Sequence, residues 1–510
     1  MPYSDNKRIA KNTLLLYGRM ALIMGIQLYT SRVVLQNLGQ NSYGLYNVVG
    51  GLVVILTFVN GAMMATTQRF LSYELGRADY NKLRITFSQS VFAHFVIAIL
   101  FLFIAETIGL WFLTNKMVID SNLRQAAFWV FQFSVISFII SLMQVPFGAL
   151  IMAYERLDVY AIIGVIEVFI KLCIAFLISY FTFNSRLIWY AFLILISTVT
   201  INMCYIIFCK KKYAETRLIY RIDKPIFKSL TSFAGWSIVG SLAWLGKNQG
   251  TNVILNLFFG TAINAAYGIS MQINNAISSF VQNFTMSMNP QIIQSYAVEN
   301  YSRTNFLMII GSKYSFMLLF LLTFPIIVVM DDILKLWLTE VPSYTGIFSK
   351  LILIITLCES FAYVIGTAIQ ATGKIRTYQI IVGFTLLSNL PISYLLLKYQ
   401  FPPYSVLICG IFISIIALIE RIFIINRQLE EFSIKKFIIK SIWPSFKVTF
   451  ISIAIFLIIS KYIEHINPIF RFIVSFLIVA SSELIFGINR NEKKYVTQII
   501  KKVINQIWIK

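Results

Sequence analysis

Long apolar runs alternate with short polar breaks along nearly the whole chain. A hydrocarbon core about 30 Å thick needs roughly 20 apolar residues per helical crossing. Runs of that kind fall near 13–35, 43–67, 86–106, 126–150, 160–181, 187–209, 232–259, 263–289, 306–330, 348–371, 379–397, 405–425, 448–461 and 470–487, about fourteen in all. The ten-residue segments of alternating polarity that mark a membrane barrel are missing. The pattern predicts an all-α polytopic membrane protein. No small-residue cleavage site follows a short apolar core at the start, so the first run reads as a retained span.

The polar positions inside the runs repeat. Gly39 and Tyr43-Gly44 are answered by Gly260 and Tyr267-Gly268, Asn60 by Asn283, and Ser72-Tyr73 by Ser295-Tyr296. The offset is about 221 residues before the turn and about 223 after it. A half-length repeat in a membrane protein implies two lobes facing a pathway. The most polar break, KKKYAETRLIYRIDKPIFK over 210–228, precedes the second copy and reads as the linker. The predicted organisation is a lobe over 1–212, its repeat over 213–427, two further spans over 428–488, and a tail over 489–510. In that tail Val496, Ile499, Ile500, Val503, Ile504, Ile507 and Trp508 share one helical face, with lysines off it. It is expected to lie on anionic lipid as an amphipathic helix.

Composition agrees with this class. Of 510 residues, 58% are hydrophobic and 13% charged; soluble domains carry about a quarter charged residues. The formal net charge of +22 would suggest nucleic acid in a soluble protein, but its placement says otherwise. Breaks on the side of the termini hold roughly 29 Lys and Arg, against about 5 on the other side. The positive-inside rule then places both termini in the cytoplasm and assigns the excess to lipid, with no nucleic-acid partner.

Charged and amide side chains inside spans are the candidate chemistry, because they are costly in hydrocarbon and usually face a bundle interior or a wet cavity. In the first span these are Arg19 and Arg32, which are not on one face; snorkelling to the interface is the alternative for each. The second carries Asn60, Met64, Thr67 and Gln68 at spacings of three and four, a cavity wall or an interhelical seam. Glu167 and Lys171 form an i, i+4 pair in the favoured order, read as structural or as part of transport. The seventh span is the most polar: Lys247 lies near its middle, beside Asn248, Asn252 and Asn256 at every fourth residue. Two readings stand for it, a lined cavity or a seam with Lys247 salt-bridged. The eighth continues with Asn275, Ser279, Gln282 and Asn289, and Pro290 is expected to close it. Glu359 in the tenth is, with Glu167, an ion-coupling candidate or a paired carboxylate. Asn389 and Pro391 are expected to interrupt the eleventh span.

No catalytic residues are assigned. The glycine-to-lysine run 240–247 is one residue too long for a phosphate loop, and no Ser or Thr follows the lysine. Cys173, Cys204, Cys209, Cys358 and Cys409 are scattered, with no CxxC and no Cys/His cluster for a metal. Neither an enzyme nor a cofactor is expected.

The stretch with Arg19, the run from Arg32 to Leu38, Gly39, Tyr43-Gly44-Leu45-Tyr46, Asn60-Gly61 and Ala65-Thr66-Thr67-Gln68-Arg69-Phe70 resembles the polysaccharide transporter, or O-antigen flippase-like, family of the multidrug/oligosaccharidyl-lipid/polysaccharide exporter superfamily. The resemblance implies two six-helix, MATE-like lobes around a central cavity, with two additional helices. It implies flipping of a polyprenyl-diphosphate-linked oligosaccharide, an O-antigen or capsule repeat unit, across the bacterial cytoplasmic membrane by alternating access. Membrane lipid and other glycan-assembly membrane proteins are the further partners it suggests. Arg19 and Lys247 would then be charge partners for a diphosphate, and the amide seams would suit glycan hydroxyls. The alternatives are a cation-coupled multidrug antiporter of the same fold, and a membrane-embedded glycan polymerase or ligase.

Overall fold

A computed structural model describes residues 2–39, 42–46, 49, 57–115, 117, 119, 123–181, 186–338, 340–463, 466–489 and 492. Among them every long element is a helix. The helices are α1 (Pro2–Leu38), α2 (Thr57–Gly76), α3 (Tyr80–Ile104), α4 (Arg124–Ala153), α5 (Leu157–Leu177), α6 (Arg186–Lys212), α7 (Lys224–Phe259), α8 (Thr261–Ala297), α9 (Tyr301–Val328), α10 (Thr345–Thr372), α11 (Arg376–Lys398), α12 (Ser405–Gln428), α13 (Trp443–Ile463) and α14 (Pro468–Ser482). Ten of the described helices are long and apolar enough to cross a membrane. The other four, α1, α2, α7 and α8, carry the polar threads. The start of the second span and the amphipathic tail lie outside the described residues.

Local backbone chemistry ends the helices in a recurring way. α1 runs into Gly39 at φ 76° and α7 into Gly260 at φ 74°, a left-handed position that glycine takes without a Cβ penalty. After α2, Ala78 N–H bonds the Leu75 carbonyl and Asp79 N–H the Glu74 carbonyl. After α8, Glu299 and Asn300 repeat the pattern on Tyr296 and Ser295. This paired closure satisfies carbonyls that the helix end would leave open.

Two prolines do not act as the sequence suggests. α8 continues through Pro290 to Ala297, and α11 runs unbroken through Asn389 and Pro391. Membrane helices tolerate an internal proline because neighbouring groups satisfy the freed carbonyl.

The chain divides into two compact units: residues 1–242 with 287–300, and residues 243–286 with 301–510. The first and last parts of α7 and α8 therefore belong to different units. In the first unit α4 packs on α6, α2 and α3, and α1 packs on α5. Phe131, Leu142, Leu83 and Phe87 are fully buried there. The linker is not loose in this unit. Arg84 Nε donates to the Arg217 carbonyl at 2.7 Å, Ile219 N–H to Ser88 Oγ at 2.9 Å, and Gln89 Nε2 to the Arg221 carbonyl at 2.9 Å.

In the second unit α10 packs on α9 and α12, α11 on α12, and α9 on α14. A stack of Phe316, Phe320, Phe324 and Phe361 fills its core. Ion pairs tie the start of α14 and the segment that follows it to this unit. Arg471 meets Asp332 at 2.7 Å, and Lys313 on α9 meets Glu492 at 2.6 Å. Large apolar side chains such as Phe103, Phe384 and Phe450 are 67%, 76% and 69% exposed, as hydrocarbon contact requires. The protein is a multi-pass membrane protein.

Candidate functional site

The second unit holds a polar cluster built by five helices. Lys247 on α7 is buried, and its ammonium donates to Glu359 Oε1 on α10 at 3.0 Å. Ser414 Oγ on α12 donates to the same oxygen at 3.2 Å. From α11, Asn389 Nδ2 donates to Thr251 Oγ1 at 3.3 Å, while its Oδ1 is buried and has no partner. Thr356 Oγ1 donates to Asn274 Oδ1, and the Tyr267 hydroxyl donates to the Asn248 carbonyl at 3.3 Å. These residues, Ser414 apart, line a cavity of about 50 Å³. A cavity of that size takes a few waters or one small ion. A charge pair held this deep needs further hydrogen bonds to offset desolvation, and Ser414 supplies one.

A second polar surface lies on α8. Gln272, Asn275 and Gln282 are exposed at spacings of three and seven, and Gln249 and Asn256 are exposed on α7. Hydrocarbon does not solvate amides, so this strip marks the wet side of the second unit. Gln282 is also hydrogen-bonded to Tyr363.

In the first unit Arg19 crosses from α1 to α5. Its guanidinium carbon lies 4.7 Å from the centre of the Tyr160 ring, within cation–π range. The close approach depends on Gly164: a Cβ there would stand 2.6 Å from Arg19 Nε. Among the described residues Arg19 has no carboxylate partner, and its Nε is buried without an acceptor. Glu167 is occupied, at 2.5 Å from Lys171. Arg32 is exposed at the far end of α1 and does not join Arg19. Asn60 Nδ2 donates to Ser141 Oγ on α4 at 3.1 Å, an interhelical bond. Gln68 is buried, with Nε2 unpartnered.

The structure thus sorts the residues singled out by sequence. It unites Lys247 with Glu359, to which different roles were assigned. Asn248 lines the cavity; Asn252 is half-buried with an unpartnered Oδ1, and Asn256 points outward. On α8 the cavity takes Tyr267, Met271 and Asn274, the face beside the one carrying Asn275 and Gln282. Lys313 went unrecognised in the sequence, although a lysine in the apolar run 306–330 was a visible signal. Among the described residues no three His, Cys, Asp or Glu side chains gather as metal ligands.

Solved structures share this fold. A mutant described only as MATE superposes with a TM-score of 0.72 at 11% identity, over 82% of this chain and 97% of its own. The fold is that of the MATE transporters. A MOP superfamily transporter from Pyrococcus furiosus, described as having a binding pocket of reversed polarity, gives 0.72 at 11% identity, over 82% and 96%. A mutant MATE transporter of Vibrio cholerae gives 0.71 at 15% identity, over 84% and 98%. These neighbours are transporters, and each is matched almost end to end within this longer chain. No protein-family model matches the sequence, and no curated protein matches it.

Proposed function

We propose that the protein is an exporter of the MATE fold that moves an anionic, lipid-linked oligosaccharide across the cytoplasmic membrane by alternating access. The observation that carries this reading is where formal charge is left over. Glu167 and Glu359, the two ion-coupling candidates from the sequence, are each within 3.0 Å of a lysine. Arg19 is cationic and without a carboxylate partner among the described residues. Such a guanidinium is a partner for a diphosphate, and the amide strip on α8 suits glycan hydroxyls.

A second reading, a cation-coupled multidrug antiporter, has its own support. One matched structure is described as a multidrug resistance MATE family transporter, with a TM-score of 0.71 at 12% identity. The fold comparisons favour this reading; the charges favour the first. A deletion strain separates them. The glycan reading expects loss of surface glycan, build-up of its lipid-linked precursor and unchanged resistance to cationic dyes. Hypersensitivity to dyes with intact surface glycan would establish the second reading in its place.

A further inference from the structure

We infer that Lys247 is a tethered cation occupying an inorganic cation site in the second unit. The inference rests on the transporter reading only for its significance, since the site itself is a matter of local chemistry. The ammonium sits 3.0 Å from Glu359 Oε1 in a cavity whose other polar lining is oxygen-rich: Thr251, Asn274, Thr356 and Asn389. Asn389 Oδ1 is buried there and accepts nothing. One carboxylate and several neutral oxygens around a small volume are the donor set a hard cation takes, and a single carboxylate balances a single positive charge. An ammonium carries the same single positive charge as a monovalent alkali cation.

The lysine stem explains why the cation is built in. Lys247 is on α7 and Glu359 on α10, 112 positions apart in the chain. A covalent cation cannot diffuse away, so the carboxylate stays neutralised at any salt concentration. Arg421, the other cation acting on Glu359, adds to that field. A free ion entering beside them would meet a site whose one negative charge is already balanced. The natural protein should therefore bind no sodium here, and truncating the lysine should open the site.

The test uses the purified full chain in detergent, with sodium chloride titrated against choline chloride at constant ionic strength. Melting temperature and retention of radioactive sodium are both read. The wild type should show no saturable effect of sodium. Lys247→Ala should melt lower in choline and rise saturably with sodium, and Lys247→Ala/Glu359→Gln should lose the sodium response. If Lys247→Ala cannot be isolated without sodium but is recovered with it, the inference is supported. If it aggregates under both conditions, Lys247→Ser, which adds a ligand oxygen, is read in the same way. Saturable sodium binding by the wild type, abolished by Glu359→Gln, would overturn the inference, as would no response in any lysine variant. No transported substrate enters this assay, so its failure leaves the export reading standing, and failure of export leaves the sodium result standing.

Discussion

Arg19 stands or falls on one neighbouring glycine. Gly164 lets the guanidinium lie against α5 and over Tyr160. Gly164→Ala should displace it by the width of a methyl group without loss of fold. If Arg19 holds the substrate head group, export should drop on the order of tenfold or more, since small misplacements of a binding group are costly. Normal export in a well-expressed Gly164→Ala would remove Arg19 from the site. At this scale the sequence revealed depth and the local pair Glu167–Lys171, but not partners on other helices. Lys247 and its asparagines were legible because a lysine mid-span and a four-residue period are local signals. That Lys247 meets Glu359 was not legible, because pairing across two helices is a long-range contact. Asn274 against Asn275 was missed for a related reason: one residue is a turn of 100°, and periodicity alone does not say which neighbour a cavity takes.

Helices were the more legible level. Apolar run length anticipated the ten helices that are long and apolar enough to cross a membrane, and the repeated Gly39 and Gly260 fall at the ends of α1 and α7. Prolines misled, because a break reads the same in sequence whether or not neighbours mend it. The ties on α14 were also invisible, as Glu492 follows the last span and its partner Lys313 lies in α9. Lys313 is only 1% exposed, so removing one partner should be expensive. Lys313→Met should destabilise the purified protein by about 3–5 kcal/mol, and Lys313→Met/Glu492→Gln should recover most of it. Additive losses in a double-mutant cycle, read from detergent melting curves, would show that the pair contributes nothing.

For the whole molecule, the charge asymmetry expects both termini in the cytoplasm. Single cysteines at Ser4 and Asn491 should resist impermeant thiol reagents added outside, while one at Ser343 should react. Labelling of either terminus in intact cells would break the fourteen-span topology. The repeat makes a separate demand: residues 6–212 should superpose on 223–427 about an axis along the membrane normal in an experimental structure. The left-handed pairs Gly39 and Gly260, and Ala78 and Glu299, are each 221 residues apart, which is two short of the offset between Ser72-Tyr73 and Ser295-Tyr296.

Movement of the substrate itself is the most direct test of the central claim. Purified protein in liposomes carrying a polyprenyl-diphosphate-linked glycan in both leaflets should expose the inner-leaflet pool to an added glycosidase over time. Arg19→Ala liposomes should do so at least about tenfold more slowly. An inner-leaflet pool that stays protected in wild-type liposomes, while the same liposomes exchange a cationic dye, would contradict the account.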